Sequence, residues 1–218
     1  MFVKTIVDDR KTSGKVAVVV ADDMGAGEEC FTLSAGEFGR LENQLGFAVN
    51  ELDAVTEEIY DALKDADERT RALLEAVRIL SVSEKSRRSL VRKLELKGFS
   101  TEAADSAVNI LTQKGYLNDE KACREIADAL VRKKHYGRKR VVTYLASHGY
   151  DVSEAKKAAD EIDDEEYLAA LKYSIEKKFP DISVIPRESQ LKAVQSLMRL
   201  GFSSGEIIKE IKNRADKR

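Results

Sequence analysis

The apolar positions change period along the chain. Phe2–Val7, Lys15–Ala21 and Glu29–Leu33 are short runs of β-branched and apolar residues, separated by the turn formers Lys11-Thr12-Ser13-Gly14 and Asp22–Gly27. Alternation bounded by turn residues predicts strands, here a three-stranded antiparallel sheet. Gly25-Ala26-Gly27 reads as a turn: no Gly-Lys-Ser/Thr follows it, as a phosphate loop would require. From Ser34 the period becomes helical. Ser34 and Glu37 have capping-box spacing, and that helix should end near Gly46. Asn50 is placed to cap a second helix through Val55, Ile59 and Leu63. The charged stretch 64–70 either continues this helix or marks a boundary. Beyond it the strand signals stop.

A segment then recurs. Lys93-Leu94-Glu95-Leu96-Lys97-Gly98-Phe99, Tyr144-Leu145-Ala146-Ser147-His148-Gly149-Tyr150 and Ser196-Leu197-Met198-Arg199-Leu200-Gly201-Phe202 align with their glycines 51 and 52 residues apart. Each glycine has a leucine four positions before it, a valine seven before it (Val91, Val142, Val194) and an aromatic directly after it. A polar N-cap candidate comes next (Ser100; Asp151 or Ser153; Ser203 or Ser204), then an acidic residue (Glu102, Glu154, Glu206) and an apolar helix. Glycine takes the left-handed conformation that ends a helix, which costs other residues about 1–2 kcal/mol. The aromatic can fold back on the leucine, and the serine or aspartate starts the next helix. Asn118 caps a further helix over 119–134, and Asp163 or Asp164 another over 165–178. The expected chain is mostly α. It has an N-terminal β-rich extension with helices (1–67) and three three-helix repeats over 68–117, 118–163 and 164–218. Stacked repeats of this kind give an elongated, curved array.

Composition narrows the function. Only two prolines interrupt 218 residues, and charged residues reach 35%, so much surface is expected for each residue. Cys30 and Cys123 are too few for a disulfide framework. With His135 and His148 they form no zinc spacing, so inert thiols and no cofactor are expected. No run approaches the roughly 18 apolar residues of a membrane span, and the N-terminus lacks the features of a signal peptide. A cytosolic protein is expected. Residues 1–70 carry 7 basic and 16 acidic side chains, residues 85–140 carry 15 and 7, and residues 141–218 carry 13 and 14. A basic middle behind an acidic head points to an acidic partner. No spacing of carboxylates announces a catalytic site, so the chain is read as a binder, not an enzyme.

Residues 85–149 resemble the bacterial regulatory protein RecX family, modulators of the RecA recombinase. The run 83–94, Lys97-Gly98-Phe99-Ser100, Lys114-Gly115-Tyr116-Leu117-Asn118-Asp119-Glu120 and Gly137-Arg138-Lys139-Arg140-Val141-Val142 carry the likeness. The resemblance implies a β-rich extension before three three-helix repeats. It also implies a non-catalytic protein that binds the groove of RecA filaments on DNA and inhibits them, regulating recombination and repair. A monomer that meets DNA weakly or through the filament is expected. Cys123 and Ile126 depart from the family, standing where larger aromatics are expected, as does the Pro180–Pro186 loop.

Basic residues before two of the glycine corners are the candidate partner surface: Arg87, Arg88, Arg92, Lys93 and Lys97, then Arg132, Lys133, Lys134, Arg138, Lys139 and Arg140, with Tyr144 beside them. Arg138–Arg140 begin a helix, where cations oppose the dipole, and such placement suggests a binding role. The other reading is an autonomous DNA-binding helix-turn-helix protein, with the basic helices on phosphates or in a groove.

Overall fold

The computed structural model describes residues 1–22, 27–182 and 184–216. The turn expected at Gly25-Ala26 lies outside them. The chain divides into two compact units, one of Met1–Glu84 with Leu90–Tyr116 and the other of Lys85–Ser89 with Leu117–Arg218.

In the first unit β1 (Phe2–Asp9), β2 (Lys15–Ala21) and β3 (Glu28–Ser34) pair antiparallel in chain order. Alternation in the central strand buries Val16, Val18 and Val20. They pack with Val3, Phe31 and Leu33 against Phe38 and Leu41 of α1 (Ala35–Leu45) and Leu63 and Ala66 of α2 (Glu57–Val82). Both sheet edges are partly covered. The β3 edge gives the Thr32 N–H to Asp67 Oδ1 (2.8 Å) and the Ser34 N–H to Thr70 Oγ1 (2.9 Å). On the β1 edge the Val3 N–H donates to the Asp53 carbonyl (2.9 Å) and the Leu52 N–H to the Val3 carbonyl (2.7 Å). Occupied edges do not template foreign strands.

That use of residues 50–55 corrects the expected start of α2. Its cap is Thr56, whose hydroxyl accepts the Ile59 N–H. Asn50 is instead held in the loop, its N–H donating to Asp53 Oδ2 at 2.7 Å. The helix continues through the charged stretch 64–70, because Ala62, Ala66, Ala72, Ala76 and Ile79 keep one side buried. The capping box at α1 is half formed. Ser34 Oγ accepts the Glu37 N–H, but the Glu37 carboxylate is buried against Arg69 (2.7 Å) and Arg40 (3.0 Å). A buried carboxylate gains more from two guanidinium groups than from one backbone amide. The unit closes with α3 (Arg87–Glu95), whose first turn belongs to the second unit, and α4 (Thr101–Gln113). Ser100 caps α4 and is itself held by Glu68 through its N–H (2.8 Å) and hydroxyl (2.9 Å).

The second unit holds α5 (Asp119–Lys134), α6 (Arg138–Ser147), α7 (Val152–Asp160), α8 (Asp164–Lys178), α9 (Arg187–Arg199) and α10 (Ser204–Asp216). Leu130, Val141, Leu145, Tyr150, Leu171, Ile175, Leu197 and Ile207 form one buried core, and alanines on α7 admit close helix approach. Asn118 caps α5 and Asp151 caps α7. Asp163 precedes α8 without a side-chain capping bond. At the start of α10, Ser203 and Glu206 bond reciprocally, forming a full capping box.

Gly98, Gly149 and Gly201 all adopt left-handed backbone, with φ of 89°, 88° and 97°. At each, two hydrogen bonds close the helix end. The aromatic N–H donates to the leucine carbonyl five residues back, as Phe99 to Leu94 (3.3 Å), Tyr150 to Leu145 (3.2 Å) and Phe202 to Leu197 (3.4 Å). The glycine N–H donates three residues back, to Glu95, Ala146 and Met198. This is the Schellman arrangement that the glycine–aromatic pair predicts.

Two of these corners also serve as sockets. The start of α3 seats on Gly149, with Ser86 Oγ donating to the His148 carbonyl at 2.9 Å. The start of α6 seats on Gly201, where the Gly137 N–H reaches the Leu200 carbonyl (2.7 Å) and the Lys139 N–H the Gly201 carbonyl (3.2 Å). There is no room for a side chain. A Cβ on Gly149 would lie 2.7 Å from Ser86 Oγ, and one on Gly137 would lie 2.6 Å from the Gly201 carbonyl oxygen.

The two cysteines differ sharply. Cys30 is exposed on β3, while Cys123 is fully buried on α5. Burial, aided by Glu154, Asp119 and Asp151, pushes the Cys123 thiol up to about 11, and the thiolate is the reactive form. One thiol is therefore expected to react with a chromogenic disulfide reagent in the native protein, and two after unfolding in denaturant.

Candidate interaction surface

The basic residues fall into two structural classes. Some are held within the chain. Arg138 is fixed on the second unit by Asp160 (2.6 Å), Asp164 (2.6 Å) and the Ala159 carbonyl (3.1 Å), with its guanidinium 4.7 Å from the centre of the Tyr167 ring. Arg132 is shared between Asp128 (2.8 Å) and Glu166 (2.9 Å). The Arg87 N–H donates to the Asp119 carboxylate (3.1 Å). Arg88 lies near Asp151 and helps to lower its pKa, after the larger contribution of Ser153. In the first unit Lys97 pairs with Glu75 at 3.0 Å.

Glu75 also binds Arg78 (2.7 Å), and the hydrogen bonds from Arg78 and then Lys97 hold its carboxyl down to about 2. A carboxyl whose folded value is depressed stabilises the fold above its ordinary value of 4.5, and that contribution is lost as pH falls toward 2. The gap between wild-type and Glu75→Gln urea midpoints is therefore expected to narrow between pH 6 and pH 3.

The other class faces solvent. Arg92, Lys93, Lys133, Lys134 and Lys139 are exposed and have no ion-pair partner among the described residues. Lys133 and Lys134 occupy the last turn of α5, where cations suit the dipole. His135 then ends the helix in left-handed backbone (φ 53°), and its ring packs on Tyr173 with centroids 3.9 Å apart. Burial, and after it the charge of Lys177, lowers the His135 pKa.

Along α6 the four-residue spacing of Arg140, Tyr144 and His148 puts them on one side. The Arg140 guanidinium lies 5.5 Å from the centre of the Tyr136 ring, and Tyr144 stacks on His148 at 4.1 Å. His148 Nδ1 sits 2.7 Å from the Tyr144 carbonyl. The result is a short ladder of Tyr136, Arg140, Tyr144 and His148, partly open to solvent, with Lys139 exposed on the same helix. Such a surface offers cations and flat rings to an acidic partner. The sequence alone marks Arg140 and Tyr144 as partner-surface residues and Tyr136 as a ring able to stack, whereas His148, the C-cap of α6, joins them only in the folded chain.

Among the described residues no group of three or more His, Cys, Asp or Glu is placed to hold a metal ion. No helix among them is long and apolar enough to cross a membrane.

No family model matches the chain. The regulatory protein RecX of Stenotrophomonas maltophilia (strain R551-3) is 32% identical over 135 residues, covering 61% of this chain and 80% of that protein. The regulatory protein RecX of Caldanaerobacter subterraneus subsp. tengcongensis is 26% identical over 186 residues, covering 85% and 86%. A crystal structure of regulatory protein RecX superposes with a TM-score of 0.74 at 18% identity, covering 97% of this chain and 98% of that one. RecX from Lactobacillus salivarius gives 0.63 at 22% identity, covering 70% and 99%. At these identities the two structures speak for the fold alone.

Proposed function

The chain belongs to the RecX family of regulatory proteins, and from that premise we propose that it binds the RecA recombinase filament on DNA and restrains its activity. It does so as a cytosolic monomer, by binding and without catalysis, and it meets DNA weakly or through the filament. The observation that carries the reading is the solvent-facing part of the second unit: exposed Lys133 and Lys134 at the end of α5, exposed Lys139 on α6, and the Tyr136–Arg140–Tyr144–His148 ladder. A nucleoprotein filament presents DNA phosphates and repeated protein surface together, and exposed cations with interleaved rings suit both. A binder biases an assembly only through different affinities for its states, so the protein holds one filament state in preference to another.

The autonomous helix-turn-helix reading is the weaker one. A helix start can bind phosphate through its first amides. In α6 the Gly137 and Lys139 amides are already bonded to Leu200 and Gly201. Arg138 is likewise occupied by Asp160 and Asp164.

The test is a recombinase ATPase assay on single-stranded DNA with this protein titrated in. Dose-dependent inhibition is expected at salt concentrations where the protein alone leaves duplex DNA unbound. An unchanged ATPase rate would refute the proposal.

A further inference from the structure

The Schellman corners at Gly98, Gly149 and Gly201, which end α3, α6 and α9, share one geometry but not one environment. Gly149 is covered by the start of α3 and Gly201 by the start of α6, as the Cβ contacts above record. In both cases the arriving element is the first turn of a helix headed by a small residue, Ser86 or Gly137. In both it donates to the carbonyl of the residue before the glycine, His148 or Leu200. The aromatic after the glycine is then buried, Tyr150 to 6% exposure and Phe202 to 2%. At the first corner, a Cβ on Gly98 meets nothing within 4 Å among the described residues. The Lys97 carbonyl, counterpart of those of His148 and Leu200, accepts no hydrogen bond among them. Phe99 is only half-buried, and Leu96 beside it is 78% exposed.

We infer that the Gly98 corner is an open socket that receives the first turn of a helix from the partner, headed by glycine or serine. The inference rests on the filament reading above and names a contact within it. The occupant follows from the chain's own usage, since both equivalent corners accept that element. A second copy offers the corresponding helix start, the one that follows those of α3 and α6 in the repeat, at α9, and that helix begins after Pro186, which has no backbone N–H to give.

The test uses the full-length protein and recombinase assembled on single-stranded DNA, with affinity read by biolayer interferometry. Gly98→Asn keeps the left-handed backbone that asparagine tolerates but fills the socket. Gly115→Asn is the matched control: Gly115 has φ 77° and equally open space, but it ends α4, whose counterpart α7 ends at Glu161 without a glycine corner. At least a tenfold loss of affinity is expected for Gly98→Asn relative to Gly115→Asn, with thermal midpoints of the two alike. A second pair covers the case in which Gly98→Asn fails to fold. Because a helix start is the positive end of its dipole, Leu96→Lys should weaken binding by about threefold and Leu96→Glu should not. Simple attraction to DNA predicts the opposite order. Equal affinity of the two asparagine variants, or the reversed Leu96 order, overturns the socket while leaving filament binding intact. Failure of the wild type to bind filament refutes the underlying reading instead. Wild-type self-association abolished by Gly98→Asn would assign the socket to a second copy and overturn the inference.

Discussion

Gly201→Ala is expected to destabilise the second unit by more than about 3 kcal/mol, which places it among the large single-residue effects. Two costs combine. The left-handed backbone at φ 97° charges an alanine about 1–2 kcal/mol. The added Cβ would also lie 2.5 Å from Arg140 Cβ and 2.7 Å from the Gly137 carbonyl oxygen. Relief requires α6 to lift, which breaks the bonds from Gly137 and Lys139 to Leu200 and Gly201. Gly98→Ala carries the same backbone cost with open space around it, so its loss should stay near 1–2 kcal/mol. Urea unfolding followed by circular dichroism separates the two. Equal losses would show that the seating of α6 on Gly201 contributes nothing.

The second large effect is functional. Charge reversal at Lys133, Lys134, Lys139 and Arg140 is expected to weaken inhibition of the recombinase ATPase at least tenfold while leaving the unfolding midpoint close to wild type. These side chains are exposed and make no ion pair among the described residues, so the fold depends little on them. Arg138→Ala should behave in the reverse manner. It removes the hydrogen bond to the Ala159 carbonyl and uncovers the buried Tyr167 ring, so stability falls before binding does. A quadruple variant that still inhibits fully would remove the basic face from the interaction.

The contrast between Arg138 and Lys139 marks where the sequence stops being readable. Adjacent cations look alike in a string of letters, and what distinguishes them is Asp160 and Asp164, 22 and 26 residues away. The helix ends were legible, because leucine, glycine and aromatic each have a local role in closing a turn. The same pattern occurs at Leu111-Gly115-Tyr116, where the Tyr116 N–H donates to the Leu111 carbonyl at 2.9 Å. That corner could have been found by the same spacing. The end of α5 could not, since His135 takes the left-handed position without being glycine. The strands were legible from the alternating valines of β2. The start of α2 was misplaced because Asn50–Val55 serve the β1 edge, a demand that only the folded sheet creates. Nor does any local signal bring Gly137 onto Gly201. The seating appears only when both backbones lie too close for a side chain.

The filament reading stands or falls on preference for assembled recombinase over its free protomer. Fluorescence anisotropy with labelled protein, titrated once with recombinase assembled on single-stranded DNA and once with DNA-free monomeric recombinase, measures it directly. The proposal predicts at least tenfold tighter binding to the assembled form, since only a difference in affinity can shift the assembly equilibrium. Equal affinity for the two forms would contradict it.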